Sequence, residues 1–188
     1  MDQDTDEAVL VRAARRGDAA AFEAIYRRHA RAVHGLALRL TGDPAAAEDI
    51  AQDTFLKLFG FLGGIRDGAP LRPWLKRVAG NLAIDRLRRQ GTRRETALED
   101  TAWADAGLPP DDHAEALGLL RRLPPVVRTV VWLHAMEGWS HPQLAERFGR
   151  SQSWSKSVLA RGLARLRDEL DGTLPVTGQG DQDHGDAD

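Results

Sequence analysis

The stretch Trp139-Ser140-His141-Pro142-Gln143-Leu144-Ala145-Glu146-Arg147-Phe148-Gly149-Arg150-Ser151-Gln152-Ser153-Trp154-Ser155-Lys156-Ser157-Val158 reads as a short helix, a tight turn and a longer helix. Ser140 and Gln143 stand at capping-box spacing, which predicts a helix ending near Phe148. Gly149 suits the turn, and Ser151 or Ser153 can cap a last helix with Leu159, Leu163, Leu166 and Leu170 on one face. This is the pattern of a helix-turn-helix, whose second helix enters the major groove and needs small or hydrogen-bonding residues free of negative charge in its first turns. Gln152, Ser153, Trp154, Lys156 and Ser157 meet that need, with Ser140 and Arg161 as flanking candidates. An ordinary helical hairpin is the alternative.

Working outward, Pro124-Pro125 opens a helix through Val126, Val127, Val130, Val131 and Leu133, and a short helix from His113 to Arg122 precedes it. Upstream, Glu95 to Asp112 is acidic and weakly patterned, the mark of a linker. Residues 1–94 again read as helices. One runs from Glu7 to Arg16, and a second is capped by Asp18 and carries Phe22, Ile25, Tyr26, His29, Val33, Leu36 and Leu40. Asp43-Pro44 starts a third, ended by Gly63-Gly64, and Ile65 to Pro70 is a polar loop. A fourth runs from Leu71 to Leu87 and dissolves into Arg88–Arg94. The expected fold is all-α: two small helical domains, residues 7–94 and 113–171, an acidic linker at 95–112 and a disordered acidic tail at 172–188.

Charge follows the same divisions. The net charge of −2 over 188 residues conceals 17 basic against 12 acidic side chains in residues 1–94, and 9 against 4 in residues 121–170. Residues 95–120 hold seven acids and no base, and residues 171–188 five acids and no base. Two basic modules around an acidic connector point to a polyanionic partner. The absence of cysteine excludes disulfides and thiolate zinc. No apolar run is long enough to span a membrane and no signal peptide is evident, so a cytoplasmic location without membrane insertion is expected.

Two more surfaces stand out. The fourth helix and its tail concentrate Arg72, Lys76, Arg77, Arg86, Arg88 and Arg89 near Trp74 and Asn81, suited to phosphates and unpaired bases, or else a solvated basic face. The third helix places Glu48, Asp49, Gln52 and Asp53 at three- and four-residue spacing beside an apolar face, suited to protein docking. The six histidines lack metal-ligand spacing, and neither GxSxG nor a phosphate-cradling glycine loop is present. No enzyme, cofactor or metal is expected.

In order, Ala21-Phe22-Glu23-Ala24-Ile25-Tyr26, Ala47-Glu48-Asp49-Ile50-Ala51-Gln52-Asp53-Thr54-Phe55 and Trp74-Leu75-Lys76-Arg77-Val78-Ala79-Gly80-Asn81-Leu82-Ala83-Ile84-Asp85-Arg86-Leu87 closely resemble region 2 of the extracytoplasmic-function (ECF, group IV) RNA polymerase sigma factors of the sigma-70 family. Leu123-Pro124 onward, through Glu137-Gly138-Trp139-Ser140 and Lys156-Ser157, resembles their region 4. The resemblance implies promoter-specific transcription initiation. Asp49, Gln52, Asp53, Phe55, Leu56 and Phe59 would dock on the β′ clamp helices of core polymerase. Arg66, Leu71, Arg72, Trp74 and Lys76, with Arg77, Asn81, Asp85, Arg86 and Arg89, would read the −10 element, where a base is flipped out as strands open. The helix-turn-helix would read −35 DNA beside the β flap, the linker would follow polymerase's RNA path, and an anti-sigma factor would be a further partner.

Departures from the family fall in the recognition helix and in the acidic N- and C-terminal tails, which are extra. Ser153-Trp154-Ser155 replaces a usual Gly-Thr-Val run, and Val158 stands where an arginine often does. Trp154 there can stack on DNA or pack against protein. A stand-alone helix-turn-helix regulator is the competing function; another is a sigma-like protein acting through protein contacts.

Overall fold

The computed structural model describes residues 3–92 and 114–173, and among these every regular element is a helix. The expected linker, and the expected tail beyond residue 173, lie outside the described residues. The first module comprises α1 (Gln3–Arg15), α2 (Ala19–Thr41), α3 (Pro44–Phe61), a 3-10 turn at Leu62–Gly64 and α4 (Leu71–Thr92). Local chemistry sets several ends. The Asp18 carboxylate accepts the N–H of Ala21, and Asp43 accepts those of Ala45 and Ala46 with Pro44 in the first turn. Such caps are worth about 1 kcal/mol each. Gly42, at φ 71°, ends α2 and donates its N–H to Leu38 O; this left-handed position favours glycine.

α2 lies at the centre. Ile25, His29, Val33, Leu36 and Leu40 are buried along it at three- and four-residue steps, against α1, α3 and α4. α4 answers with Leu71, Leu75, Ala79, Ala83 and Leu87 at steps of four, with Ile84 beside them. Full burial of a leucine contributes about 1.5–3 kcal/mol, so this wall holds the module together. α1 begins at Gln3 rather than Glu7, and two features further along also differ from expectation. α4 continues through Arg88 and Arg89 to Thr92, since arginine is a good helix former and Arg88 is tied to the Arg147 carbonyl. Ile65, at the start of the polar loop, is buried and anchors it.

The second module comprises α5 (Ala114–Arg121), α6 (Pro125–Ala135), α7 (His141–Phe148) and α8 (Gln152–Thr173). Both halves of the Ser140–Gln143 capping box are present, Gly149 closes α7 at φ 64°, and Ser151 Oγ accepts the N–H of Trp154. The expected leucine face of α8 is only partly used: Leu163 and Leu170 are 45% and 50% exposed. The helix turns Ser155, Val158 and Gly162 inward instead. Small residues allow α6 and α8 to cross closely; a Cβ on Gly162 would lie 2.7 Å from Val131 Cγ2 and 2.8 Å from Val127 Cγ1.

The modules share one core. Val130, Leu133, Trp139 and Leu144 belong to the same apolar cluster as Leu36, Leu75 and Ala83. Thr129 and Arg128 donate to Leu40 O at the end of α2, where a cation also meets the negative end of the helix. Burial, and secondarily the charge of Arg121, lowers the Arg128 pKa to about 10; it stays charged at neutral pH.

Candidate polymerase and nucleic-acid interfaces

The Asp43–Pro44 start sets the rotation of α3. Ile50, Thr54, Phe55 and Leu58 point into the core, while Asp49, Gln52, Asp53, Leu56 and Phe59 face solvent. Five of the six expected docking residues therefore share an exposed stripe. Phe55 does not: at 4% exposure it is a core residue, edge-on to Tyr26 at 4.7 Å. One residue along a helix is a rotation of about 100°, which takes Phe55 off the stripe. Leu56 and Phe59 are 61% and 64% exposed, large apolar groups held in water beside carboxylates.

The expected −10 residues are divided. Arg66 and Arg72 are exposed at the loop and the start of α4, and Arg89 is exposed near its end. Leu71 is fully buried, so it anchors the loop from inside and has no surface to offer a base. Trp74 is half-buried and stacks on Phe61, 5.6 Å between centroids with planes 3° apart. Asn81 is half-buried, and its Oδ1 is a buried acceptor without a hydrogen-bond partner among the described residues. Arg86 reaches back to Asp49 at 3.0 Å and Asp43 at 3.9 Å.

The second module covers the middle of α4. Lys76 Nζ lies 2.9 Å from both oxygens of Glu137. The Arg77 guanidinium sits over the Trp139 ring at 3.9 Å and donates to Gln143 Oε1 at 3.3 Å. Asp85 receives Arg147 at 3.2 Å. Gly80 admits the indole, for a Cβ there would lie 3.0 Å from Trp139 Cζ2. Glu137, Trp139, Gln143 and Arg147 were not distinguishable as a covering set from sequence. They act across more than 55 positions, and no local periodicity encodes such a pairing.

On α8, Gln152, Ser153, Lys156, Ser157 and Arg161 are exposed. Trp154 is half-buried against Phe148, with centroids 5.1 Å apart, so it packs on protein. Ser155 and Val158 are interior, and Ser155 Oγ shares a 3.0 Å hydrogen bond with His141 Nδ1. Two of the departures in the recognition helix are thus core positions. The Ser140 side chain serves as the α7 cap. Burial, then the neighbouring His134 and Lys156, lowers the His141 pKa. The His134 ring stacks on His141 at 4.5 Å and its Nδ1–H donates to Trp139 O at 2.7 Å. Among the described residues no cluster of acidic and histidine side chains could hold a metal, and no helix is long and apolar enough to cross a membrane.

Two family descriptions match: Sigma-70 region 2 over residues 25–93 and Sigma-70, region 4 over residues 113–166. The chain is 34% identical to the RNA polymerase sigma factor CarQ of Myxococcus xanthus over 155 residues, covering 80% of this chain and 89% of CarQ. It is also 34% identical to the ECF RNA polymerase sigma factor SigM of Mycobacterium tuberculosis strain H37Rv, covering 85% and 82%. Among solved structures it resembles CnrH in complex with the cytosolic domain of CnrY, with 25% identity, a TM-score of 0.51 and coverage of 89% and 99%. The fold also matches Bartonella quintana RpoE in complex with the anti-sigma factor NepR, with 23% identity, a TM-score of 0.52 and coverage of 81% and 98%. With region 2 on the first module, region 4 on the second and these relatives along most of its length, the chain belongs to the ECF RNA polymerase sigma factors of the sigma-70 family.

Proposed function

We propose that the chain directs promoter-specific initiation by docking α3 on core polymerase and presenting DNA-reading surfaces from both modules. The observation that carries this reading is the α3 stripe. Asp49, Gln52, Asp53, Leu56 and Phe59 combine acidic and amide groups with two large exposed apolar side chains, the make-up of a protein-binding surface rather than of an ordinary solvated face. The loop at 65–70 and α4 then meet the −10 element, through Arg66, Arg72 and Arg89 directly and through Lys76, Arg77, Asn81 and Asp85 once the second module has moved. Gln152, Ser153, Lys156, Ser157 and Arg161 meet −35 DNA. This conformation is a closed one, because Lys76, Arg77 and Asp85 are engaged by α7 and the turn before it. The chain acts without catalysis of its own, in the cytoplasm where polymerase and promoter are. CnrH was solved with the cytosolic domain of CnrY and RpoE with the anti-sigma factor NepR, and an anti-sigma factor is proposed as a partner of this chain as well.

Run-off transcription with core polymerase on a promoter library tests the reading. Added chain should bind core and select a set of start sites, and the Gln52→Ala, Asp53→Ala double variant should lose about tenfold in core affinity. The same variant should leave duplex binding by the free protein unchanged. A chain that binds −35 duplex yet neither binds core nor redirects it would instead be a stand-alone regulator.

A further inference from the structure

The chain between α3 and α4 is held at both ends by α1. Arg15 of α1 donates through Nε to Leu62 O at 2.8 Å and through its terminal nitrogens to Ile65 O and the Asp67 carboxylate. Its guanidinium thus fastens the 3-10 turn and the first half of the loop. Glu7, also on α1 and only 7% exposed, places Oε2 2.8 Å from the N–H of Leu71, the first residue of α4. The other oxygen, Oε1, lies 2.6 Å from His29 Nε2 on α2.

The Glu7 contact is unusual in origin. α2, α3, α7 and α8 take their caps from the residue next door: Asp18, Asp43, Ser140 and Ser151. α4 is preceded by Pro70, whose side chain offers no acceptor. The N–H of Leu71 is one of the unpaired donors of a helix start, and a carboxylate 64 positions away supplies the partner and complements the positive end of the helix.

Between these two fastenings the loop is preshaped. Ile65 and Leu71 are buried, so the residues between them are carried on two apolar anchors. Ala69 N–H donates to Arg66 O at 3.1 Å, and Gly68 has φ +75°, which closes a turn with glycine where a left-handed residue is required. Arg66, Asp67, Gly68 and Pro70 are left exposed at the tip.

We infer that Glu7 and Arg15 are positioning residues for −10 recognition: through the 62–71 backbone they set how the loop tip and the start of α4 are presented to the unpaired strand. The inference rests on the proposed role of this loop. Neither side chain needs to touch DNA. A loop that must capture a flipped base gains from being ordered beforehand, because ordering it on binding would cost the affinity that discriminates one base from another. Arginine suits the task since one planar fork spans three acceptors, which a lysine ammonium cannot do in fixed geometry.

The test is open-complex formation by the full chain with core polymerase on promoters that differ only at single −10 bases. The wild type is compared with Arg15→Ala, Arg15→Lys, Glu7→Gln, Arg66→Ala and Gly68→Ala. Core affinity, −35 duplex affinity and thermal unfolding are measured for each. Glu7→Ala, also compared, removes the acceptor for Leu71 N–H and should lose preference as the Arg15 variants do. Glu7→Gln keeps an acceptor and is the conservative control, expected to hold the preference. Gly68→Ala strains the tip without touching α1.

Both Arg15 variants should lose about fivefold or more of the wild-type discrimination between preferred and substituted −10 bases. Core and −35 affinities should stay within about twofold, and Gly68→Ala should flatten the preference in the same way. If Arg66→Ala and Gly68→Ala change base preference while the Arg15 variants and Glu7→Ala keep it, the loop reads DNA but α1 does not position it, and the inference is wrong. If none of these variants changes the preference, the reading of the loop itself fails. A uniform drop in transcription with unchanged preference would reduce Glu7 and Arg15 to fold stabilisers and likewise overturn the inference.

Discussion

Glu137→Gln should open the molecule. Glu137 belongs to the second module and is not among the DNA-contact candidates, so its replacement leaves the proposed reading surfaces intact. Lys76 Nζ is 2.9 Å from both its oxygens, and the two side chains are 29% and 11% exposed. That exposure lies between surface pairs, worth about 0.2–1 kcal/mol, and buried ones, whose disruption costs about 3–5 kcal/mol. The amide keeps one hydrogen bond and loses the charge, so about 1–2 kcal/mol is the expected loss, a factor of about 5–30 in the closed-to-open ratio. Where the closed form dominates, affinity for a single-stranded −10 oligonucleotide should rise by the same factor, since apparent affinity scales with the competent fraction. The chain has no cysteine, so Glu48→Cys with Arg167→Cys gives two unique labelling sites, one on each module. Energy transfer between them should fall in Glu137→Gln. Rising salt should lower transfer more in the wild type than in the variant. Unchanged transfer and unchanged oligonucleotide affinity at low salt would refute the idea that this ion pair holds the modules together.

Other expectations follow from single contacts. Gly162→Ala puts a Cβ within 3 Å of Val131 and Val127; overpacking of about 1–3 kcal/mol exceeds the helix gain of about 1 kcal/mol, so thermal unfolding should show a net loss of about 1 kcal/mol, relieved by adding Val127→Ala. Lys156→Ala with Arg161→Ala should weaken −35 duplex binding and reduce its salt slope by about 2; an identical slope would remove these residues from the phosphate contacts. The His141 pKa is lowered in the fold, so the unfolded chain takes up that proton more readily. The associated stability is intact above the unfolded value of about 6.5 and is lost as the pH falls from there through the folded value. Melting temperatures measured between pH 7.5 and 5.5 should therefore fall more steeply for the wild type than for His141→Asn, and parallel slopes would count against the assignment.

Much of this molecule is written locally. Asp18, Asp43-Pro44, the Ser140–Gln143 box and Gly149 each act within four residues of themselves, so helix ends, the helix-turn-helix and the direction of the α3 stripe were legible along the chain. The family motifs, too, are runs of adjacent residues. What only the tertiary structure decided depends on distant partners. Phe55 became core against Tyr26 of α2, and Leu71 is buried where Glu7 of α1 meets its N–H. Ser155 and Val158 turned inward on the face of α8 that carries small residues against its neighbours. The Glu7 cap on α4, the Arg15 fastening and the cover over Lys76, Arg77 and Asp85 join residues 47 to 66 positions apart. A periodic pattern records which face of a helix is apolar; it does not record which other face will meet it, and that pairing is settled only when the chain packs.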